Sequence, residues 1–219
     1  MLIKESEYLK ELLELLPKEK LKVLNFGSQS KEYIKRQPHI NKNIILPILQ
    51  KGHTLFNVDI VEMEGVDLVG DIFDDEFYSK LIKKDFDVIL VFNLLEHVND
   101  ISLMVEKIQG IIPKGKFIIF SGPFSYPKHY DPIDNLFRPD IEEVTKLFNK
   151  CVLIKGKKVK DFKYIKYLIL FPTSFISLIL RTFAFFYKYD KWKNIIIPKY
   201  MWLFKNFETT CVLFRKTKD

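Results

Sequence analysis

The sequence predicts an α/β fold: a seven-stranded, mostly parallel sheet with helices on both faces, read as one domain over residues 1–219. Three observations predict it. Short apolar runs alternate with helical patterns from residue 22 to residue 122, an order that builds right-handed crossovers and a parallel sheet. The run FDVILVFN (86–93) is almost unbroken apolar residue, as expected of a central strand covered on both faces. A chain of 219 residues is long enough for one well-buried core and too short for two ordinary ones.

The elements follow in order. Leu9, Leu12, Leu13 and Leu16 recur at helical spacing among Glu and Lys, so residues 5–16 read as an amphipathic helix that Pro17 stops. KVLNFG (22–27) is a first strand ended by Gly27, and residues 41–50 are a helix closing at Gly52. TLFNVDI (54–60) is a second strand ending on Asp59, and VDLVGD (66–71) a short third. DDEFYSKLIKK (74–84) has the acidic start and basic end that a helix dipole favours. After the fourth strand at 86–93, a helix is expected over 99–110, a fifth strand over 114–122, and a helix over 139–150 with Pro139 near its first turn. CVLIKGKKV (151–159) and ETTCVLFRK (208–216) complete the seven strands. Residues 160–206, aromatic and aliphatic with basic flanks, interrupt the alternation as an insertion.

Composition narrows the class. With 47% apolar and 29% charged residues the chain is globular rather than disordered. Lys and Arg outnumber Asp and Glu by 35 to 28, and the net charge of +7 suits anionic partners such as phosphoglycans, nucleic acid or membrane surfaces, or simply reflects lysine-rich composition. Cys151 and Cys211 stand far apart in apolar runs, a spacing that suits neither a metal site nor a disulfide framework, so buried free thiols in a reducing compartment are expected. The amino-terminal MLIKESEYLKELLELL shows no export signal, and the expected location is the cytoplasm, with the inner face of the membrane as a peripheral alternative.

Candidate site residues lie at the strands' carboxyl ends, where a parallel sheet opens its ligand crevice. Asn25-Phe26-Gly27-Ser28-Gln29-Ser30 places one glycine and small polar residues at a sharp turn, which suits close approach of a ligand or a plain strand-to-helix turn equally. Asp59, followed by Ile60, closes the second strand, where an acid can accept hydrogen bonds from ribose hydroxyls; its distance from Gly27 exceeds the ~20 residues of the dinucleotide fingerprint. Asp71, with Ile72, follows the third strand as a ligand acceptor or as the cap of the next helix. The most specific stretch couples the fourth strand to a polar turn, Asn93-Leu94-Leu95-Glu96-His97-Val98.

That NLLEHV turn resembles the fourth-strand motif of class I S-adenosylmethionine-dependent methyltransferases, in particular the broad subgroup with a Leu-Glu-His-Val signature. The flanking pieces are similar and in the family's order: the VLNFG turn, the acid Asp59, the Gly70-Asp71 pair and IIPKGKFIIFSGPF (111–124). The resemblance covers roughly residues 21–150. It implies a Rossmann-like methyltransferase fold and S-adenosylmethionine as cofactor. Asn25, Gly27 and Ser28 would then meet its methionine part, Asp59 and Ile60 its ribose, Asp71 and Ile72 its adenine, and Asn93 with Leu94 its sulfonium side. One departure stands out: Asn25 occupies the family's acidic position and the later glycines of the first motif are missing. Loss of that carboxylate removes a charge-assisted acceptor worth roughly 1.5–3 kcal/mol, so weakened cofactor binding is expected.

The loop from Gly122 to Arg138 resembles a segment of the same subgroup. His129 is the candidate base, and Tyr126, Asp134 and Arg138 are candidate substrate-binding residues, unless Asp134 and Arg138 serve only to tie the loop down. The expected reaction is methyl transfer to an oxygen or nitrogen of a small molecule, a sugar or a lipid-linked glycan. A non-catalytic scaffold that docks through the insertion is the alternative; nucleic acid is not favoured, since no recognition module or base-flipping motif is visible. Within the insertion, YLILFPTSFISLIL (167–180) is shorter than the ~20 residues of a membrane span. Phe175, Leu178, Ile179, Thr182, Phe183 and Phe186 share a helical face preceded by lysines, a pattern open to peripheral membrane contact through 160–200, to packing on the domain or to a homodimer.

Overall fold

The computed structural model describes residues 1–128, 133–170, 172–183, 189 and 192–218. Helix α1 (Ile3–Glu14) precedes strand β1 (Lys22–Phe26). Two short helices, α2 (Lys31–Arg36) and α3 (Pro38–Ile40), precede the helix expected over 41–50, which is present as a π-helical turn at Asn41–Ile45 running into α4 (Leu46–Gln50). Pro38 and Pro47 stand in the first turns of α3 and α4; a ring that removes the N–H breaks the continuous i→i−4 ladder there.

Strands β2 (Thr54–Asp59) and β3 (Leu68–Val69) are followed by α5 (Asp75–Ile82), β4 (Val88–Phe92), a 3-10 turn at Leu95–His97 and α6 (Ile101–Ile111). Then come β5 (Phe117–Ser125), α7 (Ile141–Leu147), β6 (Cys151–Lys163), α8 (Tyr164–Leu170), α9 (Pro172–Thr182), a second π-helical turn at Trp192–Ile196, α10 (Ile197–Trp202) and β7 (Asn206–Lys216). Aspartates start three of the helices: Asp74, Asp100 and Asp140 each accept an N–H from the first turn of α5, α6 and α7.

The seven strands form one sheet in the order β3-β2-β1-β4-β5-β7-β6. Strands β1 to β5 pair in parallel, and β7 runs antiparallel between β5 and β6. The chain walks outward from β1 to β3 and then returns to lay β4 against β1, so the order reverses between β1 and β4 and a crevice opens at their carboxyl ends. Strand β6 runs four residues beyond the predicted 159 because its ladder with β7 continues to Lys163 opposite Asn206, a pairing that polar KKVKDFK does not announce.

Each face of the sheet has its own core. Leu24, Ile89, Val91, Ile118, Phe120 and Phe214 pack with Leu81, Ile108 and Phe148 on one side. Val23, Val88, Leu90, Ile119 and Leu213 pack with Leu9, Leu12 and Ile48 on the other. Alternate residues of β4 therefore serve opposite cores, which is why the strand reads as unbroken apolar sequence. Cys151 and Cys211 are free thiols, half-buried and buried; burial pushes Cys151 up to about 11 and Cys211 well above its ordinary value.

Candidate functional site

The crevice is built from turns. After β1, Gly27 takes φ +70, a left-handed conformation that costs glycine nothing. The N–H groups of Gly27 and Ser28 both donate to Val58 O, at 2.9 and 3.1 Å, which folds the turn over the end of β2. Ser28 is buried, and its Oγ has no hydrogen-bond partner among the described residues. After β4, Asn93 is also left-handed, with φ 47, and its N–H donates to Ser121 O at 2.8 Å. This turn brings Leu94 across the first one: a Cβ on Gly27 would lie 2.9 Å from Leu94 Cδ1. The ends of β1 and β4 thus touch through Gly27 and Leu94.

Glu5, in the first turn of α1, is fully buried at the same place. Its Oε1 accepts from Asn93 Nδ2 and from Ser121 Oγ, each at 2.7 Å, and its Oε2 from the N–H of Leu2 at 2.8 Å. A charge in a core position needs such partners to offset its desolvation. Sequence reasoning missed Glu5, although a signal existed: it falls on the same helical stripe as Leu9, Leu12 and Leu16, where a lone acid interrupts an apolar face. Asn25 is turned elsewhere, its Nδ2 donating to Asn57 Oδ1 on β2 at 3.0 Å.

The remaining predicted residues separate into three groups. Asp59 stays at the crevice edge, half-buried, where desolvation raises its carboxyl above the ordinary range although backbone N–H groups of Val61 and Ile60 oppose the shift; the Ile60 side chain beside it is 70% exposed. Asp71 is exposed, with Oδ1 accepting from the N–H of Phe73 at 2.9 Å, and the helix cap is Asp74 instead. Ile72 departs from expectation: at 2% exposure its side chain lies in the core with Phe77 and Leu81, leaving no face for an aromatic ligand. The cause is the two-residue length of β3, which lets the chain turn inward immediately after Gly70.

The loop residues also sort themselves. Arg138 holds Asp134 in a forked ion pair, with contacts of 3.1 and 2.6 Å, and the Asp134 side chain has no exposure. Both oxygens are therefore committed to tying the loop, and Asp134 is not placed to meet a substrate. Asn135, which sequence reasoning passed over, fastens the same loop to the NLLEHV turn by donating Nδ2 to Leu95 O and Val98 O at 2.8 and 2.7 Å. His97 Nδ1 contacts Ile133 O. His129 lies outside the described residues.

Electrostatically the site is dominated by two groups, one buried and one half-buried. Glu96, 2% exposed with Oε2 unpartnered, is pushed up to about 7 by burial, with the nearby Glu5 adding to the shift and Arg138 opposing it. Burial pushes Tyr126 up to about 12, again with Glu5 adding and Arg138 opposing. Glu5 and Arg138 thus each act on both Glu96 and Tyr126. A perturbed carboxyl with an open oxygen at a topological switch point is the kind of group that active sites hold.

No protein-family model and no curated protein matches the sequence. Solved structures do match in three dimensions. Coclaurine N-methyltransferase, bound to N-methylheliamine and SAH, superposes with a TM-score of 0.56 at 14% identity, over 96% of this chain and 70% of that one. A phosphoethanolamine N-methyltransferase of Haemonchus contortus, in complex with phosphomonomethylethanolamine and S-adenosylhomocysteine, gives 0.55 at 13% over 97% of this chain and 52% of that one. The [4+2]-cyclase SpnF gives 0.55 at 9% over 97% and 81%. The chain has the class I S-adenosylmethionine-dependent methyltransferase fold. Because a cyclase shares it, the reaction must be argued from the site.

Proposed function

We propose that the chain is an S-adenosylmethionine-dependent methyltransferase acting on an oxygen or nitrogen of a small molecule, with a sugar or lipid-linked glycan as the acceptor class. One observation carries the reading: at the point where the strand order reverses, a left-handed Gly27 leads into a buried Ser28 whose hydroxyl has no partner among the described residues. A buried polar atom without a partner is costly and is ordinarily matched by something outside the chain. The surrounding donors and acceptors suit an adenosyl group bearing an amino acid. Asp59 offers a carboxylate for ribose hydroxyls at the end of β2, the exposed Asp71 offers one for the adenine amino group, and Asn93 with Leu94 borders the sulfonium side. Glu5, bonded to Asn93, places at this end of the sheet a carboxyl group that Asn25 does not provide.

The bound cofactor would supply an electrophilic methyl group on a sulfonium. The protein's part is to align the acceptor in line with it and to exclude water, and proximity of this kind provides much of the rate. Tyr126 at the crevice mouth orients the acceptor, with Arg138 fixed beside it. His129 accepts the acceptor's proton, and Glu96 is a second group able to do so near neutral pH.

Calorimetric titration with S-adenosylmethionine and with its demethylated product tests the reading. Saturable binding is expected, weakened about ten- to a hundredfold in Asp59→Ala, the loss of a charged hydrogen-bond acceptor. Absence of saturable binding by the wild-type chain would establish the non-catalytic scaffold instead.

A further inference from the structure

The insertion carries a charge that the rest of the molecule does not. Residues 160–206 hold nine Lys and Arg against two Asp, a net of +7 that equals the total of the whole chain. The remainder therefore sums to zero, and the positive charge of the protein is local. Among the described residues, Lys160, Lys163, Lys166, Arg181, Lys193 and Lys205 are exposed.

The same segment exposes its apolar residues. Among the described residues, helices α8, α9 and α10 share a small core of Leu168, Leu178 and Ile196. On α9 the predicted single apolar face is divided: Leu178 is buried and Thr182, one turn on, is half-buried, whereas Ile176, Leu180 and Phe183 recur at i, i+4, i+7 on the opposite side, 57, 67 and 72% exposed. Ile169 on α8 at 73%, Met201 on α10 at 64% and Phe204 at 72% are as open. No single helix among the described residues is long and apolar enough to cross a membrane, and α8 and α9 are bent by 113° at their junction.

We propose that α8, α9 and α10 form a docking surface for an anionic lipid bilayer, with Ile169, Ile176, Leu180, Phe183, Met201 and Phe204 entering the acyl boundary while the surrounding lysines meet lipid phosphates. Exposed apolar side chains and exposed cations on one segment fit a membrane interface, because burial of the first and attraction of the second act together. Nucleic acid would satisfy the lysines but leave the aliphatic side chains in water, since bases stack on aromatic rings rather than on Ile, Leu and Met. A second copy of this surface would bring +7 against +7, which opposes pairing. The proposal is independent of methyl transfer; if both hold, the acceptor is presented at the membrane.

Flotation with vesicles tests it, using phosphatidylcholine alone and phosphatidylcholine with a third of phosphatidylglycerol. The wild-type chain is expected to float with the anionic vesicles and to dissociate as salt is raised. Lys160→Gln, Lys163→Gln and Lys193→Gln together should weaken binding by about fivefold per lysine. The triple variant Ile176→Ser, Leu180→Ser, Phe183→Ser should abolish flotation with its circular dichroism unchanged. Met201→Ser with Phe204→Ser, on a different helix, gives the same expectation should the first variant fold poorly. Equal binding to neutral vesicles, flotation of folded apolar variants at wild-type level, or a salt-stable dimer that does not float would each overturn the proposal.

Discussion

The centre of the sheet and the insertion are built from similar apolar residues and treat them in opposite ways. Ile89, Val91, Ile118 and Phe120 on β4 and β5 have no exposure at all, whereas Ile169 and Phe183 in the insertion are more than 70% exposed. Hydropathy does not separate the two groups; neighbours do. β4 has a strand on either side and a helical layer on each face, while α8, α9 and α10 share one small cluster. The transferable lesson is that an apolar run contributes to stability only where the topology supplies a second layer. Without one, the same run becomes a surface.

The contrast is broken most directly in the core. Phe148 is fully buried, stacked on Phe214 with centroids 5.2 Å apart and tilted against Phe120 at 6.2 Å. Phe148→Ala should cost about 3–5 kcal/mol, the removed burial plus the cavity it leaves. Urea denaturation measures it; a loss under about 1 kcal/mol would mean that this layer is no better packed than the insertion.

Next in size is the ion pair that ties the crevice loop. Asp134→Ala leaves Arg138, 15% exposed, without its partner, and loss of about 3 kcal/mol is expected for breaking a buried pair. Replacing both, Asp134→Ala with Arg138→Met, should recover part of that loss. A double variant as unstable as the single one would show that the pair does more than neutralise itself.

A titration sharpens the comparison. Burial holds the proton of Glu96 up to about pH 7, against 4.5 for an ordinary glutamate. Between those pH values the folded chain binds a proton that the unfolded chain has released, so stability falls as pH rises through the window and levels off above it. The gap corresponds to about 3 kcal/mol as an upper figure. Glu96→Gln should flatten the profile and, at pH 8, be the more stable protein. Denaturation midpoints across pH 4 to 8 measure this, and an unchanged slope in the variant would place the titration elsewhere.

How much of this was legible in the sequence follows the same division. The seven strands, their order of appearance and the burial of β4 were readable, since period and run length report directly on how many faces of a strand are covered. The turns at Gly27 and Asn93 were readable as turns. What escaped needed contacts between distant parts of the chain. Glu5 stands 88 residues from Asn93 and 116 from Ser121, and no local pattern couples them. Ile72 was misplaced because a two-residue strand is too short to show a period. Asp134 and Arg138 carried two readings four residues apart, a free site or a tie, and only the forked geometry separates them. The division of α9 into an inner and an outer face likewise depends on where α8 and α10 lie.

The smallest expected effect bears on that outer face. Leu180→Ser removes a large apolar side chain from a helix, which in the core would cost several kcal/mol, yet at 67% exposure it should change stability by no more than about 0.5 kcal/mol. Leu178, two residues earlier at 5% exposure, is the internal control, because the two share helix, backbone geometry and side chain and differ only in what covers them. Equal losses at both positions would mean that Leu180 is covered in solution. A loss that grows with protein concentration would then identify the cover as another copy of the chain, since only association makes the effect of a surface substitution depend on concentration.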